Sequence, residues 1–216
     1  PHSPDESESI FTEGIDYFKT GEESIWGKRD KETLELLNKE KISGRWLNLA
    51  AGDGRYNIQL LKKADTVTAS DVDEGALSKL YNNTPDKYRE KLQTVSFDLA
   101  QKFPFDGHYF DGVFCTGTLH LFPQSKLENI VKEIDRVLRP GGKLIIDFAT
   151  EVKRILPDGS NYIREGEPQY SMSEAQEVLR NLLNNYKVSI YEASVQEEEI
   201  ETRGLKYQFS CNFLLL

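Results

Sequence analysis

Two glycines and two carboxylates stand at spacings that suit the binding of a nucleoside. Gly52 and Gly54 follow an apolar run that ends at Ala51, and Asp71 ends the next β-branched run, nineteen positions after Gly52. Asp98 follows a third run, in which apolar residues alternate. Glycines let a backbone approach a ligand closely, while carboxylates accept hydrogen bonds from ribose hydroxyls or from an adenine amino group. These four residues therefore predict a nucleoside site.

Three kinds of ligand compete for this glycine turn. A dinucleotide turn has the pattern Gly-x-Gly-x-x-Gly, but a count from Gly52 places Asn57 third and a count from Ala50 places Arg55 there. A mononucleotide P-loop needs Gly-Lys-Ser or Gly-Lys-Thr, which the turn lacks. An adenosyl group without phosphates fits best, because two nearby carboxylates suit a positive sulfonium rather than a phosphate.

Other side chains near this site have two interpretations each. His120 follows a predicted strand by five residues and is a candidate general base, or it packs at the start of an apolar helix. Tyr17, Phe18 and Trp26 form either a lid over the ligand or ordinary aromatic cover on the sheet. The sequence is compatible with both roles in each case.

Strand and helix patterns that alternate from residue 45 to 148 must position these residues. The predicted strands are 45–49, 66–70, 92–97, 110–115 and 143–148, and the predicted helices are 28–41, 54–63, 74–81, 126–138 and 173–183. This alternation predicts a parallel sheet with helices on both faces and with ligands at the carboxyl ends of the strands. Ser173 and Gln176 are expected to cap the last helix.

The final two strand patterns, 187–193 and 205–216, are joined by an acidic segment. A parallel crossover needs a dozen or more residues, usually a helix, so the pair is predicted to form an antiparallel hairpin. The acidic run Glu197–Glu201 is then expected at a solvated tip.

Composition limits the class of protein. The 216 residues suit one domain with an N-terminal extension, and the net charge of −9 disfavours nucleic acid as a partner. Cys115 and Cys211 form no paired metal motif, so no metal site is expected. The few cysteines, the lack of an apolar spanning stretch and the polar residues 1–9, a predicted flexible tail, favour a cytoplasmic protein without a membrane segment.

Four segments resemble, in order and spacing, the motifs of class I S-adenosylmethionine-dependent methyltransferases: "LNLAAGDGR", "SDVDEGAL", "SFDLAQKFPFDGHYFDGVFC" and "VLRPGGKLIIDF". The resemblance covers about residues 43 to 150 well and the final hairpin more loosely. The chain is therefore expected to be a doubly wound α/β protein. Its mostly parallel seven-stranded sheet would carry helices on both faces and a C-terminal antiparallel hairpin. Residues 1–40 would be a flexible tail and helical cover, and 41–216 the methyltransferase domain.

The resemblance implies that S-adenosylmethionine is the cofactor and that these residues bind it: Asn48, Ala50, Gly52, Gly54, Asp71, Val72, Asp98, Leu99, Cys115 and Thr116. Asp71 matches the family's ribose-binding acid, and Asp98 matches its adenine contact. Asn48 and Ala50 depart from the pattern, because the family usually has an acid and a glycine at these two positions.

The resemblance implies methyl transfer, and a small molecule is the favoured acceptor. Residues 115–118 lack the Asn/Asp-Pro-Pro-aromatic signature of amino-methylating nucleic-acid enzymes, and the Pro-Cys pair of cytosine enzymes is absent. Methyl transfer to protein or RNA is an alternative, as is a non-catalytic protein that binds S-adenosylmethionine or S-adenosylhomocysteine. Three residues are candidates for gripping an anionic or planar acceptor: Tyr162, Arg164 and Tyr170. The sequence assigns no oligomeric state.

Overall fold

A computed structural model describes residues 15–216, so the tail predicted for residues 1–9 lies outside the described residues. Seven strands are present: β1 Arg45–Asn48, β2 Thr66–Asp71, β3 Leu92–Ser96, β4 Phe110–Cys115, β5 Leu138–Ile155, β6 Tyr191–Thr202 and β7 Leu205–Leu215. The α-helices are α1 Lys31–Lys39, α2 Asn57–Leu61, α3 Glu74–Asn82, α4 Asp86–Arg89, α5 Gln124–Val137 and α6 Met172–Leu182. Short 3-10 helices cover Tyr17–Thr20 and Leu119–Leu121.

The seven strands form one sheet in the order β3-β2-β1-β4-β5-β7-β6. Strands β1 to β5 pair in parallel, whereas β7 runs antiparallel to both β5 and β6. The predicted fold class is thereby confirmed, including the C-terminal hairpin. The strand order reverses between β1 and β4, where ligand crevices open in such sheets.

Alternating side chains of the central strands fill two cores, one on each face of the sheet. Leu47 and Val113 point into the core that contains α5 and α6, while Trp46 and Phe114 point into the core that contains α1, α2 and α3. The period of two in β1 and β4 therefore places helices on both faces, as predicted.

The C-terminal hairpin differs from the prediction in length. The acidic run Glu197–Glu201 belongs to the twelve-residue strand β6 rather than to a tip, and Ile200 within it is buried. The turn lies at Arg203 and Gly204, which both have positive φ angles of 52° and 71°. Such angles suit the tight turns that join antiparallel strands, and they let both strands extend further than the apolar patterns suggested.

Two other local predictions are also corrected. Helix α6 is capped by Ser171 and Glu174 in a reciprocal capping box, not by Ser173 and Gln176. Strand β5 begins at Leu138, so the segment Arg139–Gly142 that ends α5 is already part of the strand. The register of the β4–β5 pairing shifts between Phe110 and Gly112, and this irregularity accommodates the segment Arg139–Gly142.

A buried ion pair holds the N-terminal segment against the domain. Lys79 Nζ lies 2.9 Å from Asp53 Oδ2, and both side chains are completely buried. Asp53 also accepts hydrogen bonds from Ser24 Oγ and from the Ile25 backbone, at 2.6 and 2.9 Å. The segment that precedes α1 is thus fixed over the loop after β1. None of the helices in the described part of the chain combines the length and apolar character needed to cross a bilayer.

Candidate active site

A cavity opens at the carboxyl ends of β1, β2 and β4. Most of the predicted binding residues line it: Asn48, Ala50, Gly52, Asp71, Val72, Asp98, Leu99, Thr116 and His120. The right-handed crossovers bring these residues together from four separate loops. Residues that the sequence reasoning missed also line it, among them Asp30, Arg55, Asp147 and Arg154.

The Asp71 carboxylate ties the end of β2 to the glycine turn. Its Oδ2 accepts a hydrogen bond from the Gly52 backbone at 2.8 Å, and its Oδ1 accepts one from the Asp73 backbone at 3.0 Å. Burial raises the pKa of Asp71, while these backbone donors oppose the rise. The carboxylate is therefore fixed in the cavity wall, where its remaining lone pairs can accept hydrogen bonds from a ligand.

Asp98 and its neighbours form an adjoining part of the wall. Asp98 Oδ1 accepts a hydrogen bond from the Ala100 backbone at 2.8 Å, which fixes the carboxylate at the end of β3. Val72 and Leu99 line the cavity beside it. Apolar side chains next to a carboxylate offer a flat base both stacking contact and a hydrogen-bond acceptor.

Gly54 and Cys115 do not line the cavity, unlike the other predicted cofactor residues. A Cβ on Gly54 would lie 2.9 Å from Leu80 Cγ, and its φ is +92°, so this glycine serves the close packing of the turn on α3. Cys115 is completely buried in the core. Its burial raises its pKa, and the thiol has the setting of a small core residue.

Two of the three aromatic residues predicted as lid or cover line the cavity. Tyr17 donates a hydrogen bond from its hydroxyl to Asp73 Oδ2 at 3.1 Å. Trp26 Nε1 would lie 3.1 Å from a Cβ on Gly52, so the glycine is needed for this contact. Phe18 is 53% exposed and lies outside the cavity lining. The N-terminal segment therefore contributes a wall to the site.

Asp147 is a buried acid in the cavity lining that the sequence reasoning missed. It lies within β5, and its Oδ1 accepts a hydrogen bond from the Gly117 backbone at 2.6 Å. Burial raises its pKa to about 7, although the Gly117 donor and the charge of Arg55 oppose the rise. A carboxyl group with this pKa exchanges its proton near neutral pH, as a general base requires. The sequence feature that could have indicated Asp147 is its position as the one acid in the apolar run "KLIIDF".

His120 lines the cavity as predicted, but its environment argues against a general base. The side chain is buried, and within residues 15–216 its Nδ1 has no hydrogen-bond partner. Burial lowers the pKa of His120 to about 3, and the charges of Arg154 and Arg164 act in the same direction. An imidazole that resists protonation so strongly is a poor proton acceptor at neutral pH, but it can donate a hydrogen bond.

A family model described as a methyltransferase domain matches residues 47–146, which include β1 to β4 and the cavity walls just described. The chain is 28% identical over 172 residues to a demethylmenaquinone methyltransferase of Corynebacterium glutamicum (strain R), covering 79% of this chain and 66% of the relative.

These similarities support a class I S-adenosylmethionine-dependent methyltransferase family for the chain.

Further relatives of this chain are similar over shorter stretches. An uncharacterized methyltransferase of Synechocystis is 31% identical over 111 residues, covering 51% of this chain and 48% of the relative. The chain thus spans between about half and two thirds of the length of these curated relatives. A solved structure, the DhpI-SAM-HEP complex, superposes with a TM-score of 0.56 at 20% identity over 83% of this chain and 82% of that one. At this identity the likeness shows a shared fold.

The two departures of this chain from the usual glycine loop of class I S-adenosylmethionine-dependent methyltransferases have visible consequences. Ala50 adopts a φ of 51°, in the left-handed region that glycine occupies without strain. Asn48 donates a hydrogen bond from Nδ2 to Asn57 Oδ1 at 3.0 Å, which ties β1 to α2. Ala50 therefore keeps the backbone conformation that a glycine would adopt in this loop, and the Asn48 side chain is hydrogen-bonded to the Asn57 side chain.

The three residues predicted to contact an acceptor lie in different places in the structure. Arg164 lines the cavity, whereas Tyr170 lies outside the lining and donates a hydrogen bond from its hydroxyl to the Phe122 carbonyl. Tyr162 lines a neighbouring recess that it shares with Arg164. Within the described range 15–216, no group of three or more His, Cys, Asp or Glu side chains is arranged to hold a metal ion.

Proposed function

We propose that this protein transfers a methyl group from S-adenosylmethionine to a small-molecule acceptor. The arrangement of Asp71 and Asp98 carries the proposal, because two fixed carboxylates face one cavity at the ends of neighbouring strands. Carboxylates at these positions suit a ligand with ribose hydroxyls, an adenine amino group and a positive sulfur.

The lining residues fit such a cofactor. Asp71 would accept hydrogen bonds from the ribose, and Asp98 with the backbone of Leu99 would contact the adenine. Val72 would pack on the base, and Thr116 would lie by the methionine part. When bound, S-adenosylmethionine supplies a methyl group that its positive sulfur already activates. The protein then contributes mainly by orienting the acceptor, and proximity with orientation can supply about 7–11 kcal/mol of the barrier.

Asp147 is the group proposed to take the acceptor's proton. The Gly117 N–H holds one of its oxygens and fixes the carboxyl in the cavity. Its pKa of about 7 is closer to neutral pH than the pKa of about 3 of His120. His120, the base suggested by the sequence, is the second candidate for this role.

A small-molecule acceptor is favoured by the cavity walls and by the relatives. Tyr17 and Trp26 on one side and the β6–β7 hairpin on the other line the same cavity, which suits a compact ligand. The relative from Corynebacterium glutamicum is named for demethylmenaquinone, a small molecule. The two buried free cysteines are compatible with a reducing cytoplasm, the proposed location. Protein or RNA acceptors are the alternatives.

Calorimetry and a transfer assay together test the proposal. We expect S-adenosylmethionine and S-adenosylhomocysteine to bind the wild type at one site, and we expect NADH not to bind. Methyl transfer from radiolabelled S-adenosylmethionine is then measured with panels of small molecules, tRNA and proteins. If neither adenosyl ligand binds, the proposal is wrong.

A non-catalytic adenosyl-binding protein is the second candidate. The strained φ of Ala50 and the uncharged Asn48 at the family's acid position favour it, because both alter the cofactor loop. Binding of both adenosyl ligands without methyl transfer to any member of the panels would support this candidate.

A further inference from the structure

Positive charge exceeds negative charge around Arg154 and Arg164, in the part of the cavity that adjoins His120. Arg154 and Glu167 form a bidentate ion pair with N–O distances of 2.9 and 2.8 Å, and both side chains are at most 4% exposed. Arg164 also lines the cavity, and its side chain forms a hydrogen bond with the Tyr207 hydroxyl. One ion-paired carboxylate thus faces two guanidinium groups, and Glu165 lines only the neighbouring recess.

The positive charge lowers pKa values in this part of the cavity. Burial lowers the pKa of Arg164, and the charge of Arg154 lowers it further, while Glu167 opposes the shift. Both arginines also lower the pKa of His120. An anion bound among Arg154, Arg164 and His120 would relieve the repulsion between the two guanidinium groups.

Two buried nitrogen atoms of these side chains have no partner within residues 15–216: Arg154 Nε and His120 Nδ1. Arg154 is 3% exposed and His120 is 6% exposed, and both line the cavity. A buried polar group without a hydrogen bond is unfavourable, and native proteins rarely retain one. An oxygen acceptor on a ligand could satisfy such nitrogen atoms.

Apolar side chains also line this cavity: Leu121, Phe122, Val195, Ile200, Phe209 and Phe213. Most of them come from the β6–β7 hairpin, outside the segment matched by the family model. They suit the hydrocarbon or aromatic body of a ligand.

We propose that the methyl acceptor is a small organic acid, with an apolar body against the hairpin and a carboxylate bound by Arg164 and His120 beside Arg154. The planar guanidinium of Arg164 matches a carboxylate, and neutral His120 donates one N–H bond to it. His120 is then a binding residue rather than a base. This inference rests on the proposed function, because it names the acceptor for the same site.

Matched ligand pairs test the inference on the full chain loaded with S-adenosylhomocysteine. The probes are benzoate, 2-naphthoate and decanoate, each compared with its uncharged amide by calorimetry. We expect at least one acid to bind roughly 10- to 100-fold more tightly than its amide. In Arg164→Gln this preference should fall to within about threefold, whereas Arg164→Lys should retain part of it because the charge remains.

The control variant is Arg180→Gln, on the exposed surface of α6, which should keep the preference of the wild type. Unchanged affinity of Arg164→Gln for S-adenosylhomocysteine shows that the variant is folded and that the cofactor end is intact. If no acid binds more tightly than its amide, or if Arg164→Gln keeps the full preference, the inference is wrong. Failure of S-adenosylhomocysteine to bind the wild type would instead overturn the proposed function.

Discussion

The carboxylates of Asp71 and Asp98 line the cavity where β2 and β3 end, and this part is here called the carboxylate end of the cavity. The guanidinium groups of Arg154 and Arg164 line another part, the arginine end. Backbone N–H groups in adjoining loops hold the two carboxylates. The arginines are held by side chains, Glu167 for Arg154 and Tyr207 for Arg164. Under the proposed function, carboxylates held by backbone turns would bind the cofactor, while acceptor selection would depend on side chains that can vary within the same fold.

The largest expected effect concerns the N-terminal segment before α1, which covers the carboxylate end of the cavity. Lys79→Ala leaves the Asp53 carboxylate buried without its partner, so we expect a loss of about 4 kcal/mol in the free energy of unfolding. Urea denaturation measures the loss. Lys206→Ala is the control, because the Lys206–Glu199 pair is about half exposed and should matter little. A loss below about 1 kcal/mol in Lys79→Ala would show that the pair does not hold the cover.

The second prediction concerns Asp147, the buried acid of β5 in the cavity lining. Its pKa of about 7 is above the ordinary value of 3.8, so the folded protein retains a proton that the unfolded chain releases. This contribution to stability is complete below pH 4 and is lost as the pH rises through 7. Asp147→Asn mimics the protonated carboxyl and should therefore avoid the loss.

We expect the stability advantage of Asp147→Asn over the wild type to grow between pH 4 and pH 7. The advantage should increase by about 4 kcal/mol in total and level off above that range. Thermal or urea unfolding across this range measures it, with the exposed Asp86→Asn as the control. An advantage that does not change with pH would contradict the assigned pKa.

The third prediction separates the two ends by ligand. Asp71→Ala removes a charged acceptor for the ribose and the tie to the Gly52 backbone, so S-adenosylhomocysteine should bind about 30-fold more weakly, or by about 2 kcal/mol. Calorimetry measures this change, and Asp86→Ala, on the exposed α4, should leave the affinity unchanged. Unaltered affinity in Asp71→Ala would refute the ribose assignment.

The smallest expected effect tests the strained turn of the carboxylate end. Ala50→Gly should raise the free energy of unfolding by about 1 kcal/mol, because glycine adopts the φ of 51° without the steric penalty of a Cβ. Ala51→Gly is the matched control. Ala51 is absent from the positive-φ residues of the described chain, so its replacement should be slightly destabilising. A loss of stability in Ala50→Gly would show that the alanine methyl contributes packing that outweighs the strain.

Most of the carboxylate end was predictable because its residues follow strands directly. Asp71 and Asp98 each end an apolar run, and parallel strands bring such ends to one edge of the sheet. Asp73, two residues after β2, likewise has a local role: its side chain caps α3 by accepting hydrogen bonds from the backbone of Gly75 and Ala76.

The arginine end was less predictable because it depends on contacts between distant segments. Arg154 and Glu167 pair across thirteen residues of irregular chain, and no local pattern specifies that pairing. The acidic residues of β6 suggested a solvated tip, since charge is usually read as exposure, yet Glu198 accepts a hydrogen bond from the Lys28 backbone at 2.9 Å. Asp147 was missed because a single acid ending a buried run has several structural explanations.

A crystal structure of the wild type with S-adenosylhomocysteine tests the central claim most directly. The account predicts density in this cavity, with the ribose hydroxyls within about 3 Å of the Asp71 carboxylate and the adenine beside Asp98. The sulfur should face the region between Asp147 and Arg164. Density for the ligand elsewhere, or a ribose that does not contact Asp71, would contradict it.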